Sequence, residues 1–260
     1  MPGDRGAIMS APDFAEDQAG FFECSCCGGS LHQAKAVGRL SRRRLIWAGM
    51  AGAMAAATLG AALPKPARAQ SALSPDAALQ TLVDGNKRFV EKHMTSFDED
   101  LAILRQNTVA KQEPFAAVLS CADSRVPVEL AFDQSIGHLF VTRVAGNVAT
   151  SEIIASLEYG AAVLGTKAIL VLGHGGCGAV KATMDGKAVP GQISALYAPI
   201  RPAVDAAGGD LDAAIKANAK IQANLLATAS PVLAGLIKEG KLKIAAGYYD
   251  LGSGTVSLLG

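Results

Sequence analysis

The chain has little of several things. Only 5% of its 260 residues are aromatic, its formal net charge is +1, and it holds five cysteines. So few cysteines exclude a disulfide-stapled scaffold, and a balanced charge gives no general attraction to nucleic acid. With 50% hydrophobic residues and 18% charged, the composition is neither that of a disordered chain nor that of a collagen-like or coiled-coil rod. Scarce aromatics beside 28 glycines and abundant alanine favour an α/β domain over a β-sandwich. The chain is also long enough to bury a core without staples.

What is present is unevenly distributed. Residues 70–260 keep 16 basic against 18 acidic side chains and only two cysteines, Cys121 and Cys177. Upstream, Ser41-Arg42-Arg43-Arg44-Leu45 leads into an uncharged Ala/Gly-rich run from Ile46 to Leu63, followed by Pro64 and an Ala67-Arg68-Ala69 end. Charge, apolar stretch and Ala-x-Ala make a signal peptide, and the paired arginines resemble the twin-arginine export signal. The expectation is an extended leader over 1–40, a signal over 41–69 cleaved after Ala69, and a single domain over 70–260. A retained membrane anchor is the other reading, since the apolar run is just at spanning length. Cys24, Cys26, Cys27 and His32 are either a soft-metal cluster or incidental thiols of the leader.

In the remaining chain, Ser74-Pro75-Asp76 opens a helix carrying Leu79, Leu82, Val83 and Phe89, with Gly85-Asn86 as a candidate interruption. A second short helix is expected within 95–112. Phe115 to Ser120, His138 to Val144 and Lys167 to Gly173 read as buried strands. Ser151 to Leu164 reads as an amphipathic helix, with further helices near 176–184, 192–206, 211–229 and 231–239. Leu242 to Tyr248 and Thr255 to Leu259 have β character. Alternation of strand and helix predicts a mostly parallel central sheet flanked by helices, with reactive groups where strands end in loops.

Two predicted strand ends carry those groups: Cys121-Ala122-Asp123-Ser124-Arg125, and His174-Gly175-Gly176-Cys177-Gly178. Two thiolates and a neutral imidazole form a Cys2His set that leaves the fourth position of tetrahedral zinc open, as catalysis requires. A disulfide between Cys121 and Cys177 is the plainer alternative in an exported domain.

Cys-x-Asp-x-Arg followed by His-x-x-Cys resembles the β-class carbonic anhydrases. Ala78 to Phe89 is similar to that family's opening helix and Phe140 to Asn147 to its second strand. The resemblance implies reversible hydration of carbon dioxide to bicarbonate by a zinc-bound hydroxide, with one zinc per chain on Cys121, His174 and Cys177. It implies an Asp123 paired with Arg125 that orients the attacking oxygen, or that binds zinc as a fourth ligand in a closed state. It further implies a substrate pocket of Gln112, Phe140 and Tyr159 across a dimer interface, with the Gly176 N–H offered to a substrate oxygen. The family's regulatory bicarbonate site maps to Val118, Arg143 and Tyr249; Val118 replaces a Trp, which favours an open site. His138, then His93, are the available proton shuttles, although a solvated surface role suits each as well. Partners implied are carbon dioxide and bicarbonate, a second copy of the chain as dimer or dimer-based oligomer, and export machinery for the precursor, with no nucleic acid and no lasting membrane anchor. The resulting location is periplasmic or otherwise exported. Hydrolysis of carbonyl sulfide or carbon disulfide on the same scaffold, and a non-catalytic zinc-stabilised binding module, are the alternatives.

Overall fold

The computed structural model describes residues 71–96 and 108–260. The expected leader and export signal, the thiols Cys24, Cys26 and Cys27, and most of the second helix expected within 95–112 lie outside the described residues. Among the described residues no helix is long and apolar enough to cross a membrane.

Five strands form one sheet: β1 (Ala116–Ser120), β2 (Leu139–Arg143), β3 (Ala168–His174), β4 (Lys243–Tyr249) and β5 (Val256–Leu259). Their spatial order is β2-β1-β3-β4-β5. The first four are mutually parallel, and β5 returns antiparallel along β4. β1 and β3 are buried at every residue, as central parallel strands covered on both faces must be.

The two-residue period of the strands divides the core. Ala116, Val118, Leu170 and Leu172 pack on one face with Leu79, Leu82 and Phe132. These last come from α1 (Pro75–Val90) and from the residue that ends α2 (Val128–Ala131). Ala117, Leu119, Ile169 and Val171 face the other way, against Leu157 of α3 (Ser151–Glu158), Leu226 of α6 (Leu211–Ala229) and Leu233 of α7 (Pro231–Lys238). Between them run α4 (Gly178–Asp185) and α5 (Tyr197–Ala206), which follows a 3-10 stretch over Gly191–Leu196.

α1 starts where its sequence says: the Ser74 hydroxyl accepts the Ala77 N–H at 3.2 Å, and Pro75 occupies the first turn. Gly85-Asn86, however, does not interrupt it. A Cβ at Gly85 would stand 1.8 Å from the Phe132 carbonyl oxygen, so the glycine permits contact between backbones. Asn86 is buried, donates to the Ala131 and Gly254 carbonyls and accepts the Val256 N–H. The expected helix over 151–164 is continuous but changes pitch, running α to Glu158 and π from Tyr159 to Leu164 before Gly165 ends it in the left-handed region.

Candidate metal centre

β1 and β3 are hydrogen-bonded neighbours, with Ser120 in register with Leu172. From β1 the chain moves outward to β2, and from β3 it moves outward to β4 on the other side. Their carboxyl ends therefore open a crevice at a topological switch point, where parallel sheets place their sites. Cys121 follows β1 directly, His174 is the last residue of β3, and Cys177 is the residue before α4.

The donor atoms of Cys121, His174 and Cys177 all lie within 4.8 Å of one another. All three side chains are buried, and both cysteines are free thiols, so the disulfide alternative is not realised. The His174 Nδ1 lies 3.0 Å from the Gly175 carbonyl oxygen, which can only accept. That contact assigns the proton to Nδ1 and leaves the Nε2 lone pair buried with no protein partner. An orphaned imidazole lone pair beside two thiols is the donor chemistry of zinc, whose structural and catalytic sites favour sulfur and nitrogen.

The electrostatics point the same way. The Cys121 thiol is drawn far below its ordinary range because the Cys177 thiol and the Gly146 N–H support its thiolate. The second thiol is pushed up by sharing its proton with Cys121 and by burial. Two buried thiolates side by side need a cation to coexist, and a divalent metal supplies it.

Asp123 stands next to this group. Arg125 Nε donates to its Oδ1 at 2.9 Å and Nη2 to its Oδ2 at 2.7 Å, a two-pronged fork completed by the Arg125 backbone N–H on Oδ1. The fork keeps the Asp123 carboxyl well below the usual carboxylate range and pushes the Arg125 guanidinium up. Asp123 Oδ2 remains 3.9 Å from His174 Nε2, beyond hydrogen-bonding reach. The same guanidinium reaches the Gly176 carbonyl at 3.3 Å and so ties the two turns together.

Arg143, at the end of β2, donates from Nε to the Cys121 carbonyl at 2.9 Å and from Nη2 to the Asp123 carbonyl. It thereby fixes the path of the turn that carries both residues. Val118 is core packing in β1, and Tyr249 lends its carbonyl to the Gly175 N–H at 3.0 Å. Tyr248 backs the second turn: a Cβ at Gly175 would lie 3.0 Å from its hydroxyl oxygen, and burial with Asp212 nearby pushes its phenol up to about 12.

Cys121, His174, Cys177, Asp123, Arg125 and Gly176 are thus brought together, whereas Gln112, Phe140 and Tyr159 are not part of this cluster within one chain. Gln112 is exposed just ahead of β1, a strand's length from Cys121. Phe140 is in register with Ala117 near the start of β1, and its ring lies 6.3 Å from that of Tyr159. Tyr159 is 47% exposed, a large aromatic surface left open by the described residues. His138 precedes β2 at that same far edge, and His93 is exposed after α1.

Sequence reasoning missed the support behind the cysteine. Gly146 donates its N–H to the Cys121 sulfur at 3.3 Å, and its own carbonyl accepts from Asn218 Nδ2 at 2.8 Å. Asn218 and Gln222 lie on the buried face of α6 among Ala214, Ile215 and Leu226. Two amides four residues apart on an otherwise apolar helix face were the available signal.

Comparisons with known proteins agree with this geometry. The family model described as carbonic anhydrase matches residues 116–256. A carbonic anhydrase of Mycolicibacterium smegmatis is 40% identical over 138 residues, which cover 50% of this chain and 65% of that protein. Carbonic anhydrase 2 of Mycobacterium tuberculosis is 38% identical over 135 residues, again 50% of this chain and 65% of the relative. The match to each thus spans slightly less than two thirds of the relative's length. A solved Coccomyxa β-carbonic anhydrase in complex with acetazolamide superposes with a TM-score of 0.55 at 25% identity, over 70% of this chain and 86% of that one. With a family model spanning more than half of its length, a zinc-type donor set within the matched residues and a solved β-carbonic anhydrase of like fold, the chain belongs to the β-class carbonic anhydrase family.

Proposed function

We propose that this protein catalyses the reversible hydration of carbon dioxide to bicarbonate and a proton, with one zinc ion held by Cys121, His174 and Cys177. The convergence of those three donors within 4.8 Å, beside a carboxylate that is held yet not saturated, carries the reading. Zinc bound there supplies Lewis acidity, which in favourable sites lowers the pKa of water from 15.7 to about 7. Asp123 has a defined part. Fixed by the Arg125 fork, which favours its ionised form, it is an acceptor that would orient the attacking oxygen by accepting a hydrogen bond from it. Because Arg125 engages both carboxylate oxygens, the arrangement favours an open site with Asp123 off the metal. The Gly176 N–H is available to a substrate oxygen as charge develops on it.

Carbon dioxide is small and apolar, and it calls for a dry pocket rather than charged clamps. Tyr159, exposed beside the half-buried Phe140 at the β2 edge of the sheet, and Gln112 suit a pocket completed by a second copy of the chain. A dimer as building unit follows from that reading. Residues 41–69 support export by a twin-arginine-type route and a periplasmic location of 70–260 after cleavage. The sulfur-analogue hydrolase has no observation in its favour here, and the non-catalytic module leaves the Arg125 fork on Asp123 without a purpose.

The test is stopped-flow hydration of carbon dioxide by the zinc-loaded protein. Acceleration well above buffer that disappears with Cys177→Ser is the expected outcome; one bound zinc per chain with no acceleration would overturn the proposal.

A further inference from the structure

The metal-facing sulfur of Cys121 is not supported by its own turn alone. Its donor, Gly146, sits in the left-handed region with φ 74°, and a Cβ there would come within 2.6 Å of Ile200 Cδ1. Only glycine fits, and glycine does not hold a peptide orientation by itself. Partners must do so. Asn218 Nδ2 donates to the Gly146 carbonyl, while Asn218 Oδ1 accepts from Gln222 Nε2 at 3.2 Å. Gln222 is anchored in turn, donating to the Pro199 carbonyl at 3.1 Å and accepting the Ala149 N–H at 2.9 Å. Both amides are essentially inaccessible to solvent, Asn218 at 0% and Gln222 at 1%.

Two amides on an apolar helix face each carry a desolvation cost that only well-made hydrogen bonds offset. Here the bonds run in one sense: Gln222 donates to Asn218, Asn218 donates to Gly146, and Gly146 donates to sulfur. Gly146 is therefore gripped on both of its flanking peptide groups, one by the sulfur and one by α6.

We infer that Asn218 and, one bond further back, Gln222 are positioning residues of the metal centre. They hold the Gly146 N–H on the Cys121 sulfur and so set how strongly that sulfur binds the metal. The inference rests on the proposed zinc site and assigns α6 a part in it. Neither side chain touches the metal or the substrate; Asn218 grips the peptide that follows Gly146, the sulfur takes the N–H of the peptide before it, and each amide acts by fixing Gly146 between the two. Partners at this remove from a metal commonly change affinity by about 10–100-fold.

The experiment uses full-length protein loaded with cobalt(II) or zinc. Asn218→Asp keeps the side-chain shape but replaces the donor that faces Gly146 with an acceptor. The expected result is a sulfur-to-cobalt charge-transfer band displaced to longer wavelength, because the sulfur has lost a hydrogen bond, and a zinc dissociation constant raised about tenfold or more in chelator competition. Gln222→Glu should shift both readouts in the same direction by less. Leu226→Val, fully buried on the same helix, should lower stability and leave band and affinity in place. Wild-type values for Asn218→Asp, or an equal displacement by Leu226→Val, would overturn the inference. Should Asn218→Asp fail to fold, Gln222→Glu decides on the same criteria, and failure of both to fold would reduce the pair to packing and overturn it as well. Because both readouts report metal binding, the inference can fail while carbon dioxide hydration stands. Absent hydration in wild-type protein would remove the proposed activity and leave these readouts interpretable.

Discussion

Asp123 and Asp133 are both aspartates whose carboxylates meet an arginine, and they have opposite uses. Asp133 has no exposed side-chain surface and itself sits at φ 47°. It accepts from Arg88 Nε of α1, from the Thr95 N–H and hydroxyl, and from the Ser96 N–H. Burial alone would raise its pKa, but the Ser96 and Thr95 N–H groups and Arg88 outweigh that and hold it well below the usual range. Asp123 keeps 18% of its side chain exposed, and every hydrogen bond recorded to its carboxylate comes from Arg125. One carboxylate joins separate segments of the chain and is saturated. The other is oriented by a single neighbour and has capacity left beside the Cys121–His174–Cys177 cluster. An arginine–carboxylate pair therefore does not declare its purpose; the origin of the remaining donors does.

Asp133→Asn gives the largest effect expected from this contrast. It leaves Arg88 half-buried and unpaired and weakens the anchoring of 95–96, and should cost about 3 kcal/mol in denaturant unfolding with turnover per folded molecule kept. Asp123→Asn should reverse the pattern. Turnover in stopped-flow hydration falls about 100-fold, while zinc content and unfolding midpoint stay near wild type. Equal losses of stability in the two variants would erase the distinction. Arg125→Lys is milder, because one ammonium cannot hold both carboxylate oxygens; turnover about tenfold lower with metal retained is expected.

The smallest effect is in pH. The Asp133 carboxyl is lower in the folded protein than in the unfolded chain, so the unfolded state binds more protons as acid is added. Its contribution is complete above about pH 4 and fades as pH falls toward the folded value, at no more than about 1.4 kcal/mol per pH unit. The stability gap between wild type and Asp133→Asn should thus be flat from pH 7 to 5 and narrow below 4. A gap that widens in acid would contradict the sign.

The strands were legible because a buried parallel strand leaves a continuous apolar run, as in Ala168 to Leu172. The clustering of Cys121, His174, Cys177, Asp123 and Arg125 was legible because such residues have few reasons to gather at strand ends. Gly85-Asn86 misled because local propensity favours a break there, whereas contact between α1 and the Phe132 carbonyl decides the matter. The π stretch from Tyr159 leaves the apolar pattern unchanged and so leaves no mark in it. Asn218 and Gln222 were missed because an amide in a helix reads as solvent-facing unless the apolar residues sharing its face are weighed, and the packing of α6 on β3 and β4 turns that face inward. Gln112, Phe140 and Tyr159 came from family resemblance alone, and among the described residues they stand away from the Cys121–His174–Cys177 cluster.

The register of β1 on β3 has a further consequence, for which molecules can hold an ion. Cys121 and His174 belong to distant stretches of polypeptide that meet only once the two central strands have aligned, Ser120 against Leu172. A slip by one residue would send His174 to the opposite side of the sheet. A metal ion held by both Cys121 and His174 would therefore require the aligned sheet, and its retention would distinguish correctly registered molecules from slipped ones.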